Sequence, residues 1–236
     1  MAVAKKSTNW FVVGVSAAVV VVLIALGGLV WFMNNQATGP GTAPQSAIVN
    51  EETGAITFGT GEDEVDTFVD FMCPICNQFE QQYGEQLQTA AANNQITLNI
   101  HPISILDRYS QNTKYSTRAA SAMYCVAAEA PDATLEFFNS LFTNQPEENS
   151  VGLGDDELAS LAEQAGAGAA ADCIADGTYK NFVASQTTAH DIQGTPTVEI
   201  NGERLDLSAG DISKLEDVLA AAGSATTGTE GDDSGE

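Results

Sequence analysis

The chain has 236 residues, of which 32 are Asp or Glu and only eight are Lys or Arg. That length suits one ordinary globular domain with appendages. A formal charge of −24 argues against nucleic acid or an anionic lipid surface as partner, because either would repel such a body. The acidity itself names no partner and is read as solubility.

Residues 1–9 carry Lys5 and Lys6. The run from Trp10 to Met33 then has Ser16 as its only polar side chain apart from the two Trp indoles. As a helix it would be about 36 Å long at ~1.5 Å per residue, enough to cross a bilayer core with some tilt. Trp10, Phe11, Trp31 and Phe32 fit aromatic belts at its two ends. No basic residue follows until Arg108, so the positive-inside rule leaves residues 1–9 in the cytoplasm and everything after Met33 outside. The competing reading is a cleaved signal peptide. It fits less well, because the run is long and lacks a small-residue cleavage site.

Residues 34–54 are polar, with Gly39-Pro40-Gly41 and Pro44, and read as a flexible spacer. Ile56 and Phe58 suggest a short strand, and Val65, Phe68, Val69 and Phe71 a buried central one. A helix is predicted from Pro74, with Cys76, Phe79, Tyr83, Leu87 and Ala90 on one face. Ile96, Leu98 and Ile100 alternate as a third strand. A helical block of about 104–190 follows, carrying Cys125 and Cys173. The two-residue period returns at Val198 and Ile200, turns at Asn201-Gly202, and continues through Leu205 and Leu207 as a hairpin. Asp211 opens a last helix, and 223–236 reads as an acidic disordered tail. The order β-β-α-β, helices, β-β-α predicts an α/β sheet with a helical insertion over 55–222.

Four cysteines divide into two kinds. Cys73-Pro74-Ile75-Cys76 sits at a strand-to-helix junction. The partial positive charge and free N–H groups of a helix start would favour the Cys73 thiolate. Pro74 costs little at a first turn. Cys73 is then read as the exposed nucleophile and Cys76, a turn further in, as its resolving partner. A zinc site and an inert disulfide remain the alternatives, although paired CxxC knuckles are absent. For Cys125 and Cys173 a structural disulfide pinning the insertion is the better reading, with a second redox pair the lesser one.

At these residues the chain resembles the DsbA-like branch of the thioredoxin superfamily, in a membrane-anchored form. The stretch from Asp70 through CPIC to Glu80 resembles that family's active-site strand, CPxC and helix start. Gly194-Thr195-Pro196-Thr197 ahead of Val198-Glu199-Ile200-Asn201-Gly202 is similar to its cis-proline loop. The resemblance implies a thioredoxin-like fold with a helical insertion. It implies a cis Pro196 beside the disulfide, and Thr195 offering backbone hydrogen bonds to a substrate strand. Glu80 corresponds to an acidic position that aids proton transfer to the buried thiol, with a solvated helix carboxylate as the other reading. Two departures stand out. The buried carboxylate that relatives carry six residues before the first cysteine is Thr67 here, with Asp70 or Asp66 as substitutes. The His that strong oxidants carry inside the motif is Ile75, so a Cys73 less acidic than theirs is expected. His101 reads as structural and His190 as lining the active-site rim.

The resemblance implies a protein thiol–disulfide oxidoreductase, first an oxidase that donates the Cys73–Cys76 disulfide to exported proteins with free cysteines. Such an enzyme needs no metal or separate cofactor. It needs a quinone-linked membrane reoxidant of the DsbB or vitamin K epoxide reductase type. A reductase or isomerase in the same compartment is the second reading, and a non-catalytic binding module the third. Without a dimerisation segment between Met33 and Ala55, a monomer is expected.

Overall fold

The computed structural model describes residues 19–29 and 39–227, and the chain divides into two units at Gly39 and Pro40. In the first unit residues 19–29 form helix α1, whose Val, Leu and Ile side chains are each more than half exposed. Among the described residues no helix is long and apolar enough to cross a membrane. The run expected to span, Trp10–Met33, lies partly outside them, as do residues 1–9.

The second unit is a five-stranded sheet in the order β1-β3-β2-β4-β5, numbered along the chain. The strands are β1 (Ile56–Phe58), β2 (Asp63–Val69), β3 (Ile96–Pro102), β4 (Thr197–Ile200) and β5 (Glu203–Arg204). β2 is central: it pairs in parallel with β3, Val65 opposite Leu98 and Thr67 opposite Ile100, and antiparallel with β4. Its buried Val65, Thr67, Phe68 and Val69 explain the apolar run in the sequence. A strand bonded on both edges and packed on both faces has no solvated side. Phe71 falls just beyond it, in the turn that carries the cysteines.

The parallel β2–β3 pair requires a crossover, supplied by α2 (Pro74–Phe79), a π turn (Glu80–Gly84) and α3 (Glu85–Ala92). Cys76, Phe79, Tyr83, Leu87 and Ala90 are all buried along this rod. The β4–β5 hairpin turns on Asn201 and Gly202, both with positive φ, as an Asn-Gly two-residue turn demands. Asn201 also stitches the hairpin to β2, its Oδ1 accepting the Glu64 N–H at 2.8 Å. Leu205 and Leu207 lie past β5. The last helix, α9 (Ile212–Thr227), packs beside α3, where the Tyr83 hydroxyl donates to Glu216 at 3.0 Å.

Between β3 and β4 run α4 (Tyr115–Glu129), α5 (Thr134–Thr143), α6 (Asp155–Gln164), α7 (Ala171–Asp176) and α8 (Lys180–Ala189). α4 is the hub, buried almost end to end because its many Ala and Ser residues let neighbours approach closely. α6 starts where three acidic residues complement its dipole, and Glu157 accepts the Gly154 N–H at 2.7 Å. A disulfide joins Cys125 of α4 to Cys173 of α7 across a separation of 48 residues.

Two expected boundaries move. The spacer placed at 34–54 is packed against the domain from residue 40 onward. Pro44 and Val49 are buried, Val49 bridges Ile56, and the Ser46 hydroxyl donates to the Ala127 carbonyl at 2.6 Å. Polar, Pro-rich composition suggested slack chain, but a few side-chain anchors outweigh it. At the other end α9 continues to Thr227, five residues into the expected tail, and residues 228–236 lie outside the described ones.

Replacing both Cys125 and Cys173 by Ala should lower the unfolding free energy in urea by up to about 4 kcal/mol, the loop-closure value for a loop of that length. Exchange at Cys73 and Cys76 should persist. A loss under about 1 kcal/mol would show that packing, and not the crosslink, holds α7 to α4.

Candidate active site

β2 ends at Val69, and the chain turns through Asp70, Phe71 and Met72 into the helix. The Cys73 N–H donates to the Asp70 carbonyl at 2.9 Å, closing that turn. Cys73 is the N-cap of α2, in extended backbone, with Pro74 in the first turn. Its sulfur accepts the Cys76 N–H at 3.4 Å and lies 3.3 Å from the Thr195 carbonyl, to which the thiol donates. The Thr195–Pro196 peptide is cis, and its loop closes over the sulfur. Cys73 is therefore not the open nucleophile the sequence suggested: it is 5% exposed and Cys76 is 0% exposed, both as thiols. Ile75, between them, points outward at 55% exposed.

These surroundings separate two chemically identical groups. The Cys73 thiol is lowered to about 6, first by the hydrogen bond from the Cys76 thiol and then, against burial, by Thr195 and the N–H groups of Cys76 and Ile75. Cys76 is driven well above its ordinary value, by burial first and then by the same hydrogen bond, in which it is the donor. One sulfur is thus a good thiolate and leaving group, and the other a thiol that keeps its proton.

The buried carboxyl is Asp70. It is 0% exposed, and its two oxygens accept the N–H groups of Met72 and Leu106, each at 2.9 Å. Burial raises it to about 7 despite those bonds. Asp66 does not share this place. Its carboxylate meets the His101 ring at 2.7 Å, and His101 stacks on Phe68. His190, expected at the rim, instead donates to the Thr53 carbonyl at 2.7 Å and sets its ring edgewise on Phe68 and His101. Glu80 opens the π turn, and burial raises its carboxyl to about 8. Its carboxylate lies over the Cα of Gly84, where an added Cβ would come within 2.7 Å of it.

Beside the cis peptide runs an open groove of about 590 Å³, lined by residues 193–197 and 204–207. Thr195, Pro196 and Arg204 stand on its wall, and the Thr195 carbonyl lies 3.3 Å from the Cys73 sulfur.

A family model described as thioredoxin matches residues 59–217, more than half of the chain. The chain belongs to the thioredoxin family. Its solved relatives place it in the DsbA-like branch. An oxidised DsbA of Mycobacterium tuberculosis is 30% identical, with a TM-score of 0.62 over 70% of this chain and 92% of that one. A reduced DsbG of the same organism, a disulfide bond oxidoreductase, is 29% identical, with a TM-score of 0.59 over 81% of this chain and 97% of that one. The serine/threonine-protein kinase PknE of M. tuberculosis is 37% identical over 146 residues, which are 57% of this chain and 26% of the kinase. The chain thus spans about a quarter of the length of the curated relatives it matches.

Around the family's two cysteines, one contact was invisible in the sequence. Gln145, just past α5, reaches the turn that holds Cys73. A lone Gln after a helix carries no periodic or chemical signal, and only the fold brings it to the Cys73 and Phe71 carbonyls.

Titrating thiolate absorbance should give a midpoint near 6 for Cys73, with Cys76 silent through the neutral range. A midpoint near about 3.5, or one near the ordinary ~8.5, would contradict the hydrogen-bond arrangement above. In the oxidised protein neither cysteine titrates, which leaves the buried carboxyls. Both have folded values above their unfolded ones, so the folded state holds protons that the unfolded state releases. Stability should then fall as pH rises from about 4 to about 8, by an amount on the order of a few kcal/mol. The slope should shrink in Asp70→Asn, as read from urea unfolding across that range, and an unchanged slope would remove Asp70 from the account.

Proposed function

We propose that the chain is an extracytoplasmic protein thiol–disulfide oxidoreductase that works as an oxidase through Cys73 and Cys76. The observation that carries this is the acidity gap between the two sulfurs, Cys73 lowered to about 6 and Cys76 raised. A substrate thiolate attacks the Cys73 sulfur of the Cys73–Cys76 disulfide, and that bond breaks as the mixed disulfide forms. Cys76 departs with the electron pair and takes up a proton, for which Asp70, in the turn that carries the cysteines, is a carboxyl of suitable acidity. A second substrate thiolate then attacks the substrate sulfur of the mixed disulfide, and Cys73 leaves as a thiolate. Two electrons pass from substrate to enzyme; one proton ends on Cys76, and the other substrate thiol proton goes to solvent while Cys73 stays a thiolate. Stabilising the Cys73 thiolate favours the reduced enzyme and so makes the disulfide oxidising.

The substrates in this reading are exported proteins with free cysteines, held as extended chain in the groove beside Thr195 and Pro196. The reoxidant is a quinone-linked membrane protein of the DsbB or vitamin K epoxide reductase type. Lys5 and Lys6 ahead of an apolar run, and the exposed apolar surface of α1, support a single-pass anchor with the N-terminus in the cytoplasm and the catalytic domain outside. Cys125–Cys173 stays a structural crosslink throughout the cycle.

Equilibration with glutathione should return a potential between about −120 and about −180 mV, and a value near −270 mV would mean a reductase instead. In cells, Cys76→Ala should accumulate Cys73 mixed disulfides with exported proteins. Cys73→Ser should accumulate none and lose the activity, whereas a binding module would keep its phenotype.

A further inference from the structure

The Gln145 carboxamide makes three hydrogen bonds, two to carbonyls of the turn that carries Cys73 and one to Asn77 of α2. Its Nε2 donates to the Cys73 carbonyl at 2.9 Å and to the Phe71 carbonyl at 3.2 Å. Its Oε1 accepts from the Asn77 Nδ2 at 3.1 Å, and that same amide donates to the Phe142 carbonyl at 3.0 Å. Phe71 is fully buried and its carbonyl takes no backbone hydrogen bond, so Gln145 satisfies an oxygen that would otherwise be costly to bury. Gln145 belongs to the helical insertion, and Cys73 and Asn77 to the catalytic helix. One side chain therefore clamps the two halves of the fold at the reacting sulfur.

We propose that Gln145 is a positioning residue that sets the acidity of Cys73 by fixing the peptide between Cys73 and Pro74. The Cys73 carbonyl, which also accepts the Asn77 N–H at the longer distance of 3.2 Å, is the group that swings when ψ of Cys73 changes, and that rotation decides whether the first N–H groups of α2 face the sulfur. The N–H···S contact at 3.4 Å depends on the N–H pointing at the sulfur, so a rotation that tips it away weakens the bond. There is an electrostatic part of the same sign. Two carbonyl oxygens lie in the turn with the thiolate, and the protons of the half-buried Gln145 amide offset their negative ends. Losing the carboxamide should therefore raise the Cys73 pKa and make the disulfide less oxidising. The proposal rests on the thiol-exchange reading for its importance, but the acidity it concerns can be measured without any substrate.

The test compares Gln145→Leu, which keeps the bulk and removes all three bonds, with Gln145→Glu, which keeps an acceptor for Asn77 but sets a carboxylate against the two carbonyls. Gln88→Leu is the control. Gln88 and Asn139 form a reciprocal amide pair at 2.8 and 2.9 Å that also ties the catalytic rod to α5, one that leaves the Cys73 turn alone. The pH dependence of alkylation at Cys73 and the equilibrium with glutathione are read in each. The expected order of Cys73 pKa is wild type and Gln88→Leu lowest, then Gln145→Leu, then Gln145→Glu. Gln145→Leu should be up by about one unit, roughly a tenfold change in thiolate fraction below the midpoint. Should Gln145→Leu not fold, Asn77→Ala, which frees the Gln145 amide oxygen and loosens the clamp, should move the pKa in the same direction by less. Unchanged acidity in a folded Gln145→Leu, or an equal shift in Gln88→Leu, would overturn the proposal. A wild-type protein with no glutathione exchange would overturn the oxidoreductase reading alone, because the ranking of acidities would still decide the role of Gln145.

Discussion

The chemistry of this site depends on the hydrogen bonds that converge on one sulfur, from the Cys76 thiol, from Thr195 and from the first N–H groups of a helix. Cys73 caps a helix, and the amides of the first turn, which have no carbonyl to bond within the helix, find the sulfur instead. The hydrogen bond from the Cys76 thiol acts first and these amides add to it, while burial holds Cys76 up, so two sulfurs three residues apart differ far in acidity. The sheet exists, from the standpoint of function, to aim that helix. β2 is held on both edges, so its C-terminal end delivers the turn at one fixed place, and β4 brings Thr195 to the far side of the sulfur.

The dry floor beneath the pair comes largely from the insertion. Asp70 stays protonatable near neutrality because α4 and the 103–106 loop seal it from water, while the Leu106 N–H holds one of its oxygens. Thr67 in β2 carries no carboxyl, and the buried one, Asp70, lies in the turn itself. The Cys125–Cys173 crosslink pins the hub helix that forms this seal, so a bond remote from the reacting sulfurs bears on the setting in which they react.

Much of this was legible in the residues. The alternation of Ile96, Leu98 and Ile100, the Asn201-Gly202 turn and the helical stripe from Cys76 to Ala90 each state a local period, and local period survives folding. CPIC together with Thr195-Pro196 marked the place of the chemistry, since two distant short motifs of that kind seldom coincide by chance. What escaped were facts made by contact across the chain. Asp66 and Asp70 look equivalent in sequence, yet one reaches His101 on one face and the other turns under the cysteines. The segment around Ser46 looks like a linker until its hydroxyl meets the Ala127 carbonyl. Gln145 has no meaning until α5 ends beside Phe71.

The strong negative charge of the chain runs against an acidic thiol, since 32 acidic residues should disfavour one more anion. Distance decides otherwise. Charges spread over the surface act through water and salt, and beyond about 8 Å at physiological ionic strength they are largely screened. The donors at Cys73 lie within 3.4 Å in a site with almost no solvent, where the effective dielectric is far lower. Short-range dipoles therefore govern the sulfur. The surface charge is left to act on encounter, slowing acidic partners and favouring basic ones before any bond is exchanged. Arg204, on the wall of the groove but tied to Glu199 at 2.9 Å, does little to reverse that bias.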